Sequence, residues 1–305
     1  MVGPSAKRRA FQYLQSSYKA GLSKVCRVLD WNRSSAYRKS SKDDSLVIAK
    51  LTSYAKKYPT RGFYWYYLKL RAEGLQWNRK RVLRVYRLMN LKRRRKHKKR
   101  INRPYKESLL QPIMPNISWS MDFMSDSLED GRKVRVFNVM DDYNRQALAY
   151  LAGISFPALR VTRQLDQLVE YHGKPEQIRT DNGPEFTSNT FRLWCKQNQI
   201  DHIFIQPGKP SQNAYIERLN RTFREDVLDA YLFDSPEQLN IIAQKWMDQY
   251  NNEHPHQSLG AISPIAFKYS RRKIIDAYQK VKAKMNGSPI VEPALTFFPP
   301  SMAGR

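Results

Sequence analysis

The sequence predicts an α/β protein: a mixed five-stranded sheet flanked by helices, preceded by a basic region built only of helices. Three observations carry that expectation. Positive charge is confined to the front of the chain, the hydrophobic pattern changes period near residue 118, and carboxylates stand where strands and a following helix would meet.

The chain has 305 residues and a net charge of +27. Residues 1–118 hold 31 Lys and Arg against five Asp and Glu, a net +26, whereas residues 119–305 hold 23 against 22. A polyanion is therefore the expected partner, and the front of the chain its expected contact. Cys26 and Cys195 are the only cysteines, which argues against a disulfide framework and for a reducing compartment. The five histidines have no paired spacing with cysteine, which argues against a structural zinc site. "MVGPSAKRRAFQYL" lacks an apolar leader core, and no stretch approaches the ~20 apolar residues of a membrane span. A soluble, cytoplasmic, nucleoid-associated protein is expected.

The front reads as two helix-turn-helix patterns. In residues 10–40 a helix precedes "LSKVCRVLD" and "NRSSAYRKS", which flank a polar break; Ser23, and Asn32 or Ser34, are the candidate caps. Further on, "RGFYWYYLKLRAEGLQW" reads as a helix stopped near Gly74, and "NRKRVLRVYRLMN" as another capped by Asn78. Val82, Val85 or Tyr86, and Met89 form an apolar stripe on the second, and Lys80, Arg84 and Arg87 a basic one suited to DNA. "FYWYY" (63–67) reads as packing rather than a base-stacking platform. "KRRRKHKKR" (92–100), with Arg93, Arg94 and Arg95, cannot pack a core and reads as an arm tracking phosphates.

The back half alternates strands and helices. "SWSMDFM", "KVRVFNVMDDY" and "RQALAYLAGI" read as strands, 157–171 as a helix, and "EQIRTD" as a short strand. A helix over 188–198, the strand "DHIFIQ", and helices over 211–231 and 236–253 follow, the last capped by Ser235. "RRKIIDAYQKVKAKM" adds one more helix before a tail rich in proline and glycine. The expected plan is a helix-turn-helix over 1–42, a second over 43–91, a linker over 92–116, the α/β core over 117–270, and a helix and tail over 271–305.

Three carboxylates stand out by placement. Asp122 interrupts an apolar strand, Asp181 closes a later one before Asn-Gly-Pro, and Glu217 lies in the helix after the last strand. Gathered together they would repel one another unless a divalent cation neutralised them. Oxygen donors without His or Cys suggest Mg²⁺ or Mn²⁺. Two such ions about 3.5–4 Å apart serve phosphodiester chemistry. Asp141 and Asp142, after a strand, read as structural, and Glu185 as ordering its turn. Lys209, Gln212 and Asn213 precede or open the Glu217 helix, where backbone N–H groups favour phosphate.

These motifs resemble those of bacterial insertion-sequence transposases of the OrfB type, in the retroviral-integrase (Asp-Asp-Glu) superfamily. "DNGPEF" stands at 181–186, and thirty-five residues separate Asp181 from Glu217, the family's spacing. Arg224 holds the basic position seven residues past the Glu. "YNNEHPHQSLGAISPIAF" (250–267) is similar to the family's closing motif, with His254 in place of its usual Arg.

The resemblance implies an RNase H-like catalytic core with Asp122, Asp181 and Glu217 as catalytic residues and ligands to two Mg²⁺ (or Mn²⁺) ions. It implies DNA cleavage and strand transfer at terminal inverted repeats, with Arg221 and Arg224 near the DNA end. Homo-oligomers on paired ends, and an OrfA partner or fusion, are the implied assemblies. A catalytically silent DNA-binding regulator and a nuclease acting on RNA hybrids are the competing readings.

Overall fold

The computed structural model describes residues 4–37, 43–92, 109–206 and 210–285. Arg93, Arg94, Arg95, Lys209 and the tail beyond 285 lie outside them. Two compact units divide the chain, Met1–Lys50 and Leu51–Arg305.

The first unit holds α1 (Pro4–Tyr18), α2 (Leu22–Val28) and α3 (Arg33–Tyr37). They close on Phe11, Val25 and Cys26, with Trp31 edge-on to Phe11 at 5.5 Å. Asn32 precedes α3 as expected. Ser23 does not cap α2: Gly21, in extended backbone, takes that place, and Ser23 lies inside the helix, as Ser34 lies inside α3.

Helix α4 spans Ser45–Lys57. In the second unit α5 (Phe63–Ala72) follows Gly62 and stops before Gly74, whose φ of +82° suits glycine alone. Asn78 caps α6 (Arg79–Leu88), its side chain accepting the Lys80 N–H at 2.8 Å. Val82, Val85 and Tyr86 are buried, while Lys80, Arg84 and Arg87 are exposed. The 3.6-residue period alone separates these two faces.

The sheet contains β1 (Ser118–Ser127), β2 (Lys133–Asp141), β3 (Gln146–Gly153), β4 (Gln177–Thr180) and β5 (Asp201–Phe204), in the order β3-β2-β1-β4-β5. The first three strands pair antiparallel, and β4 and β5 join parallel to β1. Between them come α7 (Ala158–His172), the single turn α8 (Pro184–Thr187) and α9 (Asn189–Gln197). One sheet face packs Trp119, Met121 and Phe137 against α7 and α9 through Val161, Leu165, Phe191 and Trp194. The other packs Met124, Val136 and Tyr150 against α10 (Ala214–Phe223) and α11 (Pro236–Glu253). Each fully buried side chain of this size contributes about 1.5–3 kcal/mol, so both helical layers are firmly held. Ser235 caps α11 as the sequence predicts. The short α12 (Pro264–Ser270) and α13 (Arg272–Met285) end the described chain.

The expected helix over 211–231 is three pieces. A 3₁₀ turn (Pro210–Asn213) leads into α10, and a π-helical turn (Arg224–Leu228) follows it. Tertiary bonds accompany the π turn: Asp226 accepts from Thr60, from Arg61, and from Trp246 Nε1 at 2.9 Å. Nearby, Tyr58 and Lys69 donate to Glu253 at 2.8 and 3.1 Å, and Trp65 Nε1 donates to His254 Nδ1 at 3.1 Å. The segment between α4 and α5 is thus bonded to both ends of the α10–α11 hairpin.

Candidate active site

Strand β1 sets the site. Its alternation sends Trp119, Met121 and Phe123 toward α7 and α9, and Asp122 and Met124 toward α10. Asp122 pairs across the ladder with Asn138 of β2. Its Oδ2 accepts from Asn220 Nδ2 at 2.8 Å, and its Oδ1 from the Phe123 N–H at 2.8 Å. Asn220 Oδ1 in turn accepts from Asn138 Nδ2 at 2.9 Å. One buried amide pair therefore fixes the Asp122 carboxylate.

The parallel register brings in Asp181. Ser118 pairs with Gln177, Trp119 with Ile178 and Ser120 with Arg179. The offset is 177 − 118 = 59; the ladder stops at Ser120 and Arg179, and the same offset continued two residues further leads from Asp122 to Asp181, since 181 − 122 = 59. Asp181 is the first residue past β4, and its Oδ1 accepts the Gly183 N–H at 3.1 Å. A Cβ on Gly183 would stand 3.1 Å from both Asp181 Oδ1 and Glu185 Oε2, so a larger residue there would push these carboxylates by a few tenths of an ångström. Pro184 opens α8, and Phe186, fully buried near Phe123 and Phe191, anchors the turn. Glu185 pairs with Arg135, whose guanidinium lies 4.2 Å over the Phe123 ring.

Glu217 lies exposed in the first turn of α10. That helix buries Ile216, Leu219, Asn220 and Phe223. Glu217 and Asn220 are three residues apart and share a face, so the amide that holds Asp122 also brings the Glu217 helix against β1. Burial pushes the Asp122 carboxyl up to about 6, and the negative charges of Asp181 and Glu217 add to the rise. The Phe123 and Asn220 hydrogen bonds act the other way.

The donor set fits a divalent cation. The carboxylates of Asp181 and Glu217 both raise the cost of charging Asp122, a cost that a cation would remove. Among the described residues no three His, Cys, Asp or Glu side chains are grouped so that they could hold a metal ion.

The other expected residues are placed as follows. Gln212 Oε1 accepts the Gln206 N–H at 2.9 Å, closing the loop before α10. Asn213 is buried and its Oδ1 has no hydrogen-bond partner among the described residues. Arg221 is exposed on α10. Arg224 donates to the Ser125 carbonyl at 2.9 Å and lies 3.7 Å from Asp126. Asp142 accepts from Ser120 at 2.7 Å, Ser118 at 3.0 Å and Arg179 at 2.9 Å, and Asp141 from two backbone N–H groups.

Two family models, both described as integrase core domain, match residues 112–210 and 198–264. A 39.2 kDa insertion element IS476 protein of Xanthomonas euvesicatoria is 34% identical over 87% of this chain and 78% of its own length. An insertion element IS407 protein of Burkholderia multivorans is 33% identical over 83% of this chain and 92% of its own. The chain belongs to the bacterial insertion-sequence transposases of the integrase superfamily. Its core is RNase H-like, a mixed five-stranded sheet between helical layers. Among solved structures, the HTLV-2 integrase catalytic core domain in complex with magnesium (trimeric form) covers 51% of this chain and 97% of that one, at 21% identity and a TM-score of 0.42. No helix among the described residues is long and apolar enough to cross a membrane.

Sequence reasoning on this transposase missed Asn220 and Asn138. A signal for Asn220 was present: it falls on the apolar stripe of Ile216, Leu219 and Phe223, where an amide needs a partner.

Proposed function

We propose that this transposase binds the terminal inverted repeats of its element and catalyses metal-dependent cleavage and transfer of DNA strands. What supports the reading is that the parallel β1–β4 register leads toward Asp181 beside Asp122, while Asn220 ties the Glu217 helix to Asp122. Asp122, Asp181 and Glu217 would hold two Mg²⁺ ions. Bound there, the pair would lower the pKa of an attacking water or 3′-hydroxyl and stabilise the departing 3′-oxygen.

The protein's own residues do the rest. Asn220 and Asn138 keep the Asp122 oxygens in one orientation, and the Gly183 N–H keeps Asp181 folded back over its turn. Arg221 and Arg224 extend the Glu217 face toward the bound end. Lys209, Gln212 and Asn213 present the start of α10 to phosphate. Lys80, Arg84 and Arg87 on α6, with Arg93, Arg94 and Arg95 in the arm, supply backbone contacts to duplex DNA. The chain works as a homo-oligomer on paired ends, in the cytoplasm, with or without an OrfA partner.

The test is joining of a labelled duplex carrying the element's own termini by the purified chain. Joined product forms only with Mg²⁺ or Mn²⁺, and Asp181→Asn abolishes it while leaving end binding within a few-fold. Joining at near wild-type rate by Asp181→Asn would sink the assignment. The silent-regulator reading draws on the absence, among the described residues, of a side-chain group that could hold a metal ion; it requires end binding with no product at any concentration of either metal.

A further inference from the structure

Thr180 and His202 lie on the α7–α9 face of the sheet, outside the carboxylate cluster. In the β4–β5 register Ile178 pairs with His202 and Thr180 with Phe204, so Thr180 and His202 meet diagonally on one face. Thr180 is fully buried. Its hydroxyl donates to the Asp181 carbonyl at 2.8 Å and stands 2.9 Å from His202 Nε2. A hydroxyl has one proton, and here the Asp181 carbonyl takes it. His202 must therefore be the donor, which selects the tautomer protonated at Nε2. The imidazole is held by Phe191 and Phe204, with ring centroids at 4.9 and 4.1 Å. The Thr180 carbonyl accepts the Ile205 N–H at 2.9 Å. Both peptide groups that flank the Asp181 Cα are thus pinned, one by β5 and one by the threonine.

We propose that His202 and Thr180 are positioning residues for Asp181. The relay from imidazole N–H to hydroxyl to carbonyl fixes the Asp181 backbone, so that its carboxylate meets a divalent cation without further ordering. Burial and the nearby Arg192 charge keep His202 neutral, which leaves its Nε2–H committed to the hydroxyl. The inference rests on Asp181 being a metal ligand.

The experiment titrates Mn²⁺ into the full-length chain, followed by electron paramagnetic resonance, with thermal midpoints recorded in parallel. Thr180→Val and His202→Leu break the relay; Thr180→Ser and His202→Gln restore its hydroxyl and its N–H donor. The half-saturating Mn²⁺ concentration is expected to rise about tenfold in the first two and to stay near wild type in the second two. The Mg²⁺ concentration for half-maximal strand joining should move in parallel. Wild-type titrations for both Thr180→Val and His202→Leu would overturn the relay, as would equal losses in the Ser and Gln variants, which would show simple packing. If Thr180→Val does not fold, the two His202 variants decide alone, because they leave β4 untouched. Asp181→Asn separates the levels. Unchanged Mn²⁺ binding there refutes the metal-ligand assignment, whereas loss there with wild-type behaviour in Thr180→Val and His202→Leu refutes only the relay.

Discussion

Two groups of carboxylates line the same strand pair, and they are treated in opposite ways. Where β1 begins, Asp142 is saturated by Ser118, Ser120 and Arg179, and Asp141 accepts two backbone N–H groups. In the middle of β1, Asp122 has one amide and one adjacent N–H, Asp181 one N–H, and Glu217 is exposed. Burial pushes both Asp122 and Asp141 up to about 6. Neighbouring acids add to the rise of both, and the contrast is with Asp142, where Ser hydroxyls and arginine charges oppose the rise that burial causes. A protein that only needed a stable strand end would treat both groups alike. Leaving one short of donors costs stability, and a bound cation is what would recover it.

The sharpest way to break the comparison is to neutralise one member of each group. Asp122→Asn, Asp181→Asn and Glu217→Gln should each lower strand joining by at least about a hundredfold, with thermal midpoints near wild type. Asp142→Ala should do the reverse. It strands Arg179 and two buried hydroxyls, and a broken buried pair costs about 3–5 kcal/mol, read as a fall in the thermal midpoint. If Asp142→Ala folds as well as wild type and loses only joining, the two groups have been assigned the wrong way round.

A smaller effect is expected at Asn220. Asn220→Ala removes the amide that orients Asp122 and should lower joining by about tenfold, with a stability loss on the order of 1 kcal/mol. Wild-type joining in this variant would show that Asp122 needs no orienting partner. The smallest effect belongs to Arg224, whose guanidinium is partly engaged by Ser125 and Asp126. Arg224→Ala should weaken joining several-fold with Mn²⁺ binding preserved, and Arg224→Lys should recover part of the loss if the contact is to a phosphate. Full activity of Arg224→Ala would reduce this arginine to surface charge.

Much of this was legible in the sequence, and what was not has physical causes. The five strands, their order along the chain and the carboxylates at their ends are local patterns. The amphipathic split of α6 into Val82, Val85, Tyr86 and Lys80, Arg84, Arg87 is local too. Which strands pair is not local: the offset that leads from Asp122 to Asp181 depends on a parallel pairing across 59 residues, and no residue type announces it. The π turn was equally hidden. Arg224–Leu228 has ordinary helical composition, and it is Thr60, Arg61 and Trp246 on other elements that hold Asp226 there. Ser23 misled because capping propensity favours serine, yet the extended backbone before α2 falls at Gly21.

The central claim is that the donor-poor carboxylates, and not Asp141 or Asp142, are completed by metal. Crystals of the full-length chain on its own DNA end, grown with Mn²⁺, test it through the anomalous scattering of manganese. The account predicts one or two anomalous peaks about 2.1 Å from carboxylate oxygens of Asp122, Asp181 and Glu217, and none at Asp141 or Asp142. Peaks at Asp141 and Asp142, or none beside Asp181 at saturating Mn²⁺, would contradict it.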